Sequence, residues 1–145
     1  IRISNLGFQK LSGYKKGLAD CGIKEKPRLL IRIPDNGNEM NLAHDAIVEL
    51  ISSGEKFTAV IAADDSVAIG ALHALNEHSR RMPVIGFNNS EFSRCSTPSL
   101  SSIDNRMELL CDSAVNILMN VFKGKDAASI ITLSAKFVER ESFKL

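Results

Sequence analysis

Apolar and polar positions along this chain switch between two periods, and the switches mark its elements. Leu11, Tyr14, Leu18 and Cys21 recur at helical spacing, and Gly22 follows where a left-handed residue would stop a helix. Leu29–Ile33 then reads as a short strand closed by the turn residues Pro34-Asp35-Asn36-Gly37. A second helix is predicted by Leu42, Ala43, Ala46, Ile47, Leu50 and Ile51, ending near Gly54. Phe57–Ala63 is an almost unbroken apolar run, the pattern of a strand buried on both faces of a parallel sheet.

Asp64-Asp65-Ser66 offers caps for a third helix carrying Val67, Ile69, Ala71, Leu72 and Leu75. Pro83–Phe87 is the next strand and runs into Asn88-Asn89-Ser90. This alternation predicts an α/β fold, an open parallel sheet with helices on both faces. The rhythm then changes. Thr97–Ile103 reads as an extended crossover, because Pro98 is incompatible with a central strand. A long helix is expected over Glu108–Phe122, and Ile131, Leu133, Ala135 and Phe137 alternate with polar residues as a half-exposed strand. Apolar side chains surround much of the long helix, so it should pack against a second copy of the chain or else be poorly ordered.

Composition narrows the function. The 145 residues are 44% hydrophobic and 24% charged, with 18 basic against 17 acidic side chains. A net charge of +1 supplies no basic face for nucleic acid, and neither a basic arm nor a zinc-finger or leucine-zipper pattern is present. Cys21, Cys95 and Cys111 are odd in number and far apart, so they read as buried or half-buried free thiols in a reducing cytosol. Metal ligation is not suggested, and no cofactor is implied. No apolar run approaches membrane-spanning length, and no signal peptide opens the chain, which points to a cytoplasmic protein. The abrupt start Ile1-Arg2-Ile3-Ser4 reads as a strand end and suggests a piece of a longer protein.

Ligands of open α/β sheets bind beyond the carboxyl ends of the strands. Asp64-Asp65-Ser66, Asn88-Asn89-Ser90 and Asp35-Asn36-Gly37-Asn38 all fall at such ends. Carboxylates and amides there suit sugar hydroxyls, each of which donates and accepts at once. The same residue types also cap helices and form turns. Capping is the preferred reading for Asp65 and Ser66, whereas Asp64 and Asn88 stay open to either role. Enzyme signatures are absent: there is no GxSxG, HExxH, GxxxxGK[ST] or GxGxxG. His44, His73 and His78 fall in helical stretches and carry no catalytic pattern, and Glu139-Arg140-Glu141 reads as a solvated, self-paired charge run.

Five blocks resemble the lactose-repressor/galactose-repressor family of bacterial regulators. Leu11–Leu18 with Cys21-Gly22-Ile23 is similar to its "R-L-x-G-[YFW]-x-x-A-L…G-I" helix, and Phe57–Leu72 to "P-T-A-[VI]-x-A-x-[ND]-D-x-x-A-x-G-[AV]-[LM]". Val84–Asn89 resembles "V-[VI]-[GS]-[FY]-[DN]-[DN]", Pro98–Ile103 "P-P-L-T-T-[VI]", and Val138–Ser142 the terminal "V-x-R-x-S". Together the blocks cover nearly the whole chain in family order.

The resemblance implies a two-lobed core of the periplasmic-binding-protein-like type (type I), a homodimer, and a small sugar effector held between lobes. Operator DNA would be bound only through a headpiece that these residues do not include. By the same resemblance the C-terminal lobe comprises about 1–92 plus 128–145, with the crossover and an N-lobe helix at about 97–124. It places Asp64, Asn88 and Met107 in the pocket, Lys10 where the family has a pocket-facing Arg, and Asn105 at the rim. Lysine lacks the planar fork of that Arg, and the loop at Arg81-Met82-Pro83 is shortened. The pairing of Asp64 with Asn88-Asn89 looks like that of maltose-type repressors, which implies a maltose-like glucoside. Two alternatives stand beside this reading: a periplasmic sugar-binding protein for transport or chemotaxis, which shares the fold, and a small α/β sugar enzyme, against which the missing motifs argue.

Overall fold

The structure is a computed structural model that describes residues 5–126 and 130–144, so the expected strand end at 1–4 lies outside the described residues. Its elements run in the order α1 (Asn5–Asp20), α2 (Glu39–Ser52), β1 (Val60–Ile61), α3 (Asp65–Glu77), β2 (Val84–Phe87), α4 (Glu91–Cys95), β3 (Ser101–Asp104), α5 (Met107–Phe122) and β4 (Lys136–Val138). Short 3₁₀ turns form at Pro27–Leu29 and Glu141–Phe143.

The glycine stops act as their positions predict. Gly22 and Gly54 take φ of 67° and 74°. The residue after each donates back over the helix end, Ile23 N–H to Leu18 O at 2.8 Å and Glu55 N–H to Leu50 O at 3.2 Å. These bonds satisfy carbonyls that a helix terminus otherwise leaves open.

The four strands lie side by side in sequence order. β1, β2 and β3 are parallel, with Val60 opposite Val84 and Ile85 opposite Ser101, while β4 runs antiparallel to β3 with Phe137 opposite Ile103. The sheet is therefore mostly parallel with one antiparallel edge. Val84 and Leu100 join α2 and α3 residues in the core (Ile47, Ala68, Leu72, Leu75), and α2 packs closely along α3. On the opposite face of β2, the ring of Phe87 lies under Lys10 from α1. Helices α2 and α3 thus pack on one face, and Lys10 of α1 reaches the other.

Five expectations, four for the strands and one for the thiols, need correcting. Residues 30–33 join no ladder, and the edge strand β1 offers only two residues to pair with. An extended segment needs a partner for its N–H and C=O groups. β1 is also less buried than its composition predicts: Ala62 is buried, but Ile61 is 56% exposed on an edge strand. The expected crossover contains β3, which is central to the sheet with Ser101 and Ser102 fully buried. Pro98 lies three residues before this strand, so it constrains the approach and not the ladder. The alternating run 131–137 pairs only at its end, in β4. The three cysteines are free as expected, but all are exposed.

The long helix forms as α5, yet none of its residues is buried, and Phe122 is 82% exposed.

One titration follows from the α2–α3 contact. His44 Nε2 lies 2.8 Å from Glu77 Oε2 and Nδ1 lies 3.1 Å from Asp45 Oδ1. Two carboxylates can both be satisfied only by the doubly protonated ring. The Glu77 bond, helped by Asp45, raises the His44 pKa. A raised folded-state pKa means that the contribution to stability is complete below the unfolded value, about 6.5. It is lost as pH climbs through the folded value. NMR titration should therefore find His44 above an ordinary histidine, and Glu77→Gln should bring it down. A value at or below about 6.5 in the parent protein would contradict this.

Candidate functional site

Parallel pairing brings the carboxyl ends of β1, β2 and β3 to one edge of the sheet. Asp64 follows β1, Asn88 follows β2 and Asn105 follows β3. Lys10 reaches the same edge from α1: its Nζ donates to the Ala63 carbonyl at 2.7 Å and sits 4.6 Å from the Phe87 ring centroid. Burial lowers the Lys10 pKa, while Asp64 and Asp65 pull it the other way.

Asp64 both caps and faces the edge. Its backbone is extended, and Oδ1 accepts from Val67 N–H at 2.9 Å and from the Ser66 hydroxyl at 2.7 Å. That closes the first turn of α3. Oδ2 has no partner among the described residues and remains an available acceptor.

Asn88 and Asn89 both take positive φ, 95° and 49°, which turns the chain sharply after β2. In that turn Asn88 Oδ1 accepts from Asn105 Nδ2 at 2.9 Å. Met107 stands two residues on, exposed in the first turn of α5. The edge therefore holds Lys10 bonded beside Asp64, the hydrogen-bonded pair Asn88 and Asn105, and one exposed apolar side chain, Met107.

Asp65 departs from its expected capping role. It is 3% exposed. Its Oδ2 accepts from Ser90 N–H at 2.6 Å and Ser90 Oγ at 2.8 Å, and its Oδ1 from Ser102 Oγ at 2.6 Å. Asp65 thus ties α3 to the turn after β2 and to β3. Ser66 caps nothing directly and instead donates to Asp64. The third polar cluster is used within its own turn: Glu39 accepts from Asn36 and Gly37 N–H at 2.7 Å each, and its pKa is lowered by the hydrogen bond from its own backbone N–H, then by those from Gly37 and Asn36.

The charge run at 139–141 is likewise not self-paired. Arg140 donates to Leu100 O, Ser93 Oγ and Asn89 Oδ1, and Glu141 accepts from Ser99 N–H and Oγ. Ser142 accepts from Ser101 N–H and donates to Val84 O, which stitches the chain end under the sheet. The sequence carried one signal for this, the block Val138–Ser142 itself.

Two surface hollows, one along Lys24–Arg28 with Glu55 and one at Asn76 with Ser79–Arg81, involve none of the candidate residues. Among the described residues no group of His, Cys, Asp and Glu could hold a metal, and no helix is long and apolar enough to cross a membrane.

Residues 9–143 match the model of the periplasmic binding protein-like domain. The chain belongs to that family. An HTH-type transcriptional regulator of Lachnoclostridium phytofermentans is 36% identical over 141 residues, which is 94% of this chain and 41% of the regulator. The Escherichia coli HTH-type transcriptional regulator AscG is 30% identical over 96% of this chain and 42% of its own length. AscG's crystal structure superposes with a TM-score of 0.88 at 26% identity, covering 99% of this chain and 52% of that one. A sugar-binding transcriptional regulator of the LacI family from Escherichia coli, complexed with phosphate, gives a TM-score of 0.84 at 27% identity with the same coverage. The resemblance to lactose-repressor-type regulators is thereby shown, and these relatives are regulators and not enzymes. This chain spans about half the length of the relatives it matches, or somewhat less.

Proposed function

We propose that this chain is the effector-sensing core of a bacterial transcriptional repressor, and that a small neutral sugar binds at the carboxyl edge of the sheet. The observation that carries the reading is the set of unused hydrogen-bonding atoms there. Asp64 Oδ2 and Asn105 Oδ1 are free acceptors among the described residues, and Asn88 Nδ2 is a free donor. The Lys10 ammonium keeps a donor beyond its bond to Ala63. Acceptors and donors mix, and the charges of Lys10 and Asp64 cancel. Hydroxyl groups match such a set, whereas an anion would meet the carboxylate of Asp64. Met107 adds an apolar contact for a sugar ring face. A maltose-like glucoside is the finer form of the proposal, resting on the Asp64 and Asn88-Asn89 pattern.

In the whole protein, operator binding would belong to a separate headpiece, and effector binding would alter it. The exposed apolar surface of α5 fits a homodimeric or two-lobed assembly, with the second lobe formed by other residues of the protein. A cytoplasmic location follows from the regulatory role. The names of the relatives favour regulation over sugar transport, the second reading.

A thermal-shift screen of neutral sugars on the full-length protein tests the proposal, since a ligand at a hundred times its Kd adds about 2.7 kcal/mol. Maltose or a related glucoside should raise the melting temperature. A panel in which only anionic sugars act would overturn the neutral-sugar reading. Residues 1–145 alone should bind no operator selectively, because a net charge of +1 gives little counterion release. Sequence-selective retardation in a gel shift would contradict that.

A further inference from the structure

Asn89 lies between a cation and an anion. Its Oδ1 accepts from Arg140 Nη2 at 2.6 Å, and its Nδ2 donates to Asp104 Oδ2 at 3.3 Å. The other oxygen of Asp104 accepts from Arg106 N–H at 2.7 Å, where the chain turns through a positive φ of 55° into α5. Arg140 itself is held at its other end by the Leu100 carbonyl at 2.6 Å and Ser93 Oγ at 3.2 Å. No carboxylate lies within ion-pair reach of Arg140 among the described residues.

We infer that Arg140 is a positioning residue for the effector site, acting through Asn89 and Asp104. The relay fixes two segments at once. Asn89 carries the strained turn that presents Asn88, and Asp104 fixes the segment that presents Asn105. Consecutive non-glycine residues at positive φ persist only when their surroundings over-determine them. Here the surroundings are Arg140 on the side chain of Asn89 and Ser102 Oγ on its N–H, at 3.0 Å. The Asn88–Asn105 contact of the proposed site depends on both segments being held. Among the described residues Arg140 hydrogen-bonds neither Asn88 nor Asn105, so its effect is indirect. The same relay joins the segment after β4 to Arg106, the residue that leads into α5, which gives a route by which a ligand at Asn88 and Asn105 is felt at the helix. This inference rests on the proposed effector site, but its structural half can be read without any ligand.

The relay predicts an exchange rescue. In N89D the new carboxylate still accepts from Arg140 but meets Asp104 with like charge. In D104N the new amide meets the amide of Asn89 and the charged acceptor is lost. In N89D/D104N the carboxylate and amide trade places, and both bonds can form again.

Amide hydrogen exchange on the ligand-free, full-length protein should show Asn89 and Arg106 N–H exchanging about tenfold faster in N89D and in R140Q. The double variant should return to within about threefold of the parent, with α3 amides unchanged throughout. Titration with maltose should follow the same order, with weakened binding in R140Q and N89D and recovery in N89D/D104N. If R140Q fails to fold, the N89D series reads the same relay with Arg140 in place. Unchanged exchange in N89D, or no recovery in the double variant, would overturn the inference. Rescue of exchange with no maltose binding in any protein would leave the relay standing and remove the glucoside.

Discussion

Asp65→Ala should destabilise the protein by about 4 kcal/mol, more than loss of any surface charge. Three donors converge on this buried carboxylate: Ser90 N–H, Ser90 Oγ and Ser102 Oγ, all within 2.8 Å. Truncation strands them where water cannot replace the acceptor, at about 1–3 kcal/mol for each group. Removing a buried charge recovers part of that sum, since burying a carboxylate is itself costly. Asp65→Asn should lose roughly half as much, because the amide keeps one acceptor oxygen and turns the other into a donor. Urea unfolding of the three proteins checks the ranking. An alanine variant within about 1 kcal/mol of the parent would mean that the knot carries little.

Gly70→Ala should also destabilise, although the same change in an exposed helix interior gains up to about 1 kcal/mol. Gly70 is buried in the middle of α3, where α2 crosses it, and an added Cβ would run into the backbone carbonyl of Met40. That oxygen belongs to the first turn of α2 and cannot swing aside like a side chain. The helices would have to separate, opening the core around Ile47, Ile69 and Leu72. Overpacking of this kind costs about 1–3 kcal/mol, so a net loss of about 2 kcal/mol is expected. Gly70→Val should cost more. A melting temperature that rises in Gly70→Ala would show that α2 and α3 are less tightly apposed than described.

Helices were legible because their signals are local. A 3.6-residue period and a glycine stop lie within one stretch, and α2, α3 and α5 form close to where those signals place them. Strands were less so. β3 hides behind Ser101 and Ser102, whose burial is tolerated only because Asp65, Ser142 and Arg140 satisfy them. Composition cannot reveal such partners, which stand 37 to 41 positions away. Arg140 was misread for the same reason: its acceptor on Asn89 is 51 residues distant. At the candidate site, strand-end position drew attention to Asp64 and Asn88. It could not separate Asp64, the cap with a spare oxygen, from its neighbour Asp65, which turns inward.

That spare oxygen gives the most direct test of the effector site. Asp64→Ser keeps an N-cap hydroxyl for Val67 N–H and removes the free carboxylate oxygen. Calorimetric titration of the full-length protein should use the neutral sugar that stabilises it most. Loss of a charged hydrogen bond to a hydroxyl costs about 1.5–3 kcal/mol, so affinity should fall roughly tenfold or more. Stability should stay within about 1 kcal/mol of the parent, because the cap survives. Unchanged affinity for that sugar in Asp64→Ser would contradict the account and leave Asp64 as a helix cap alone.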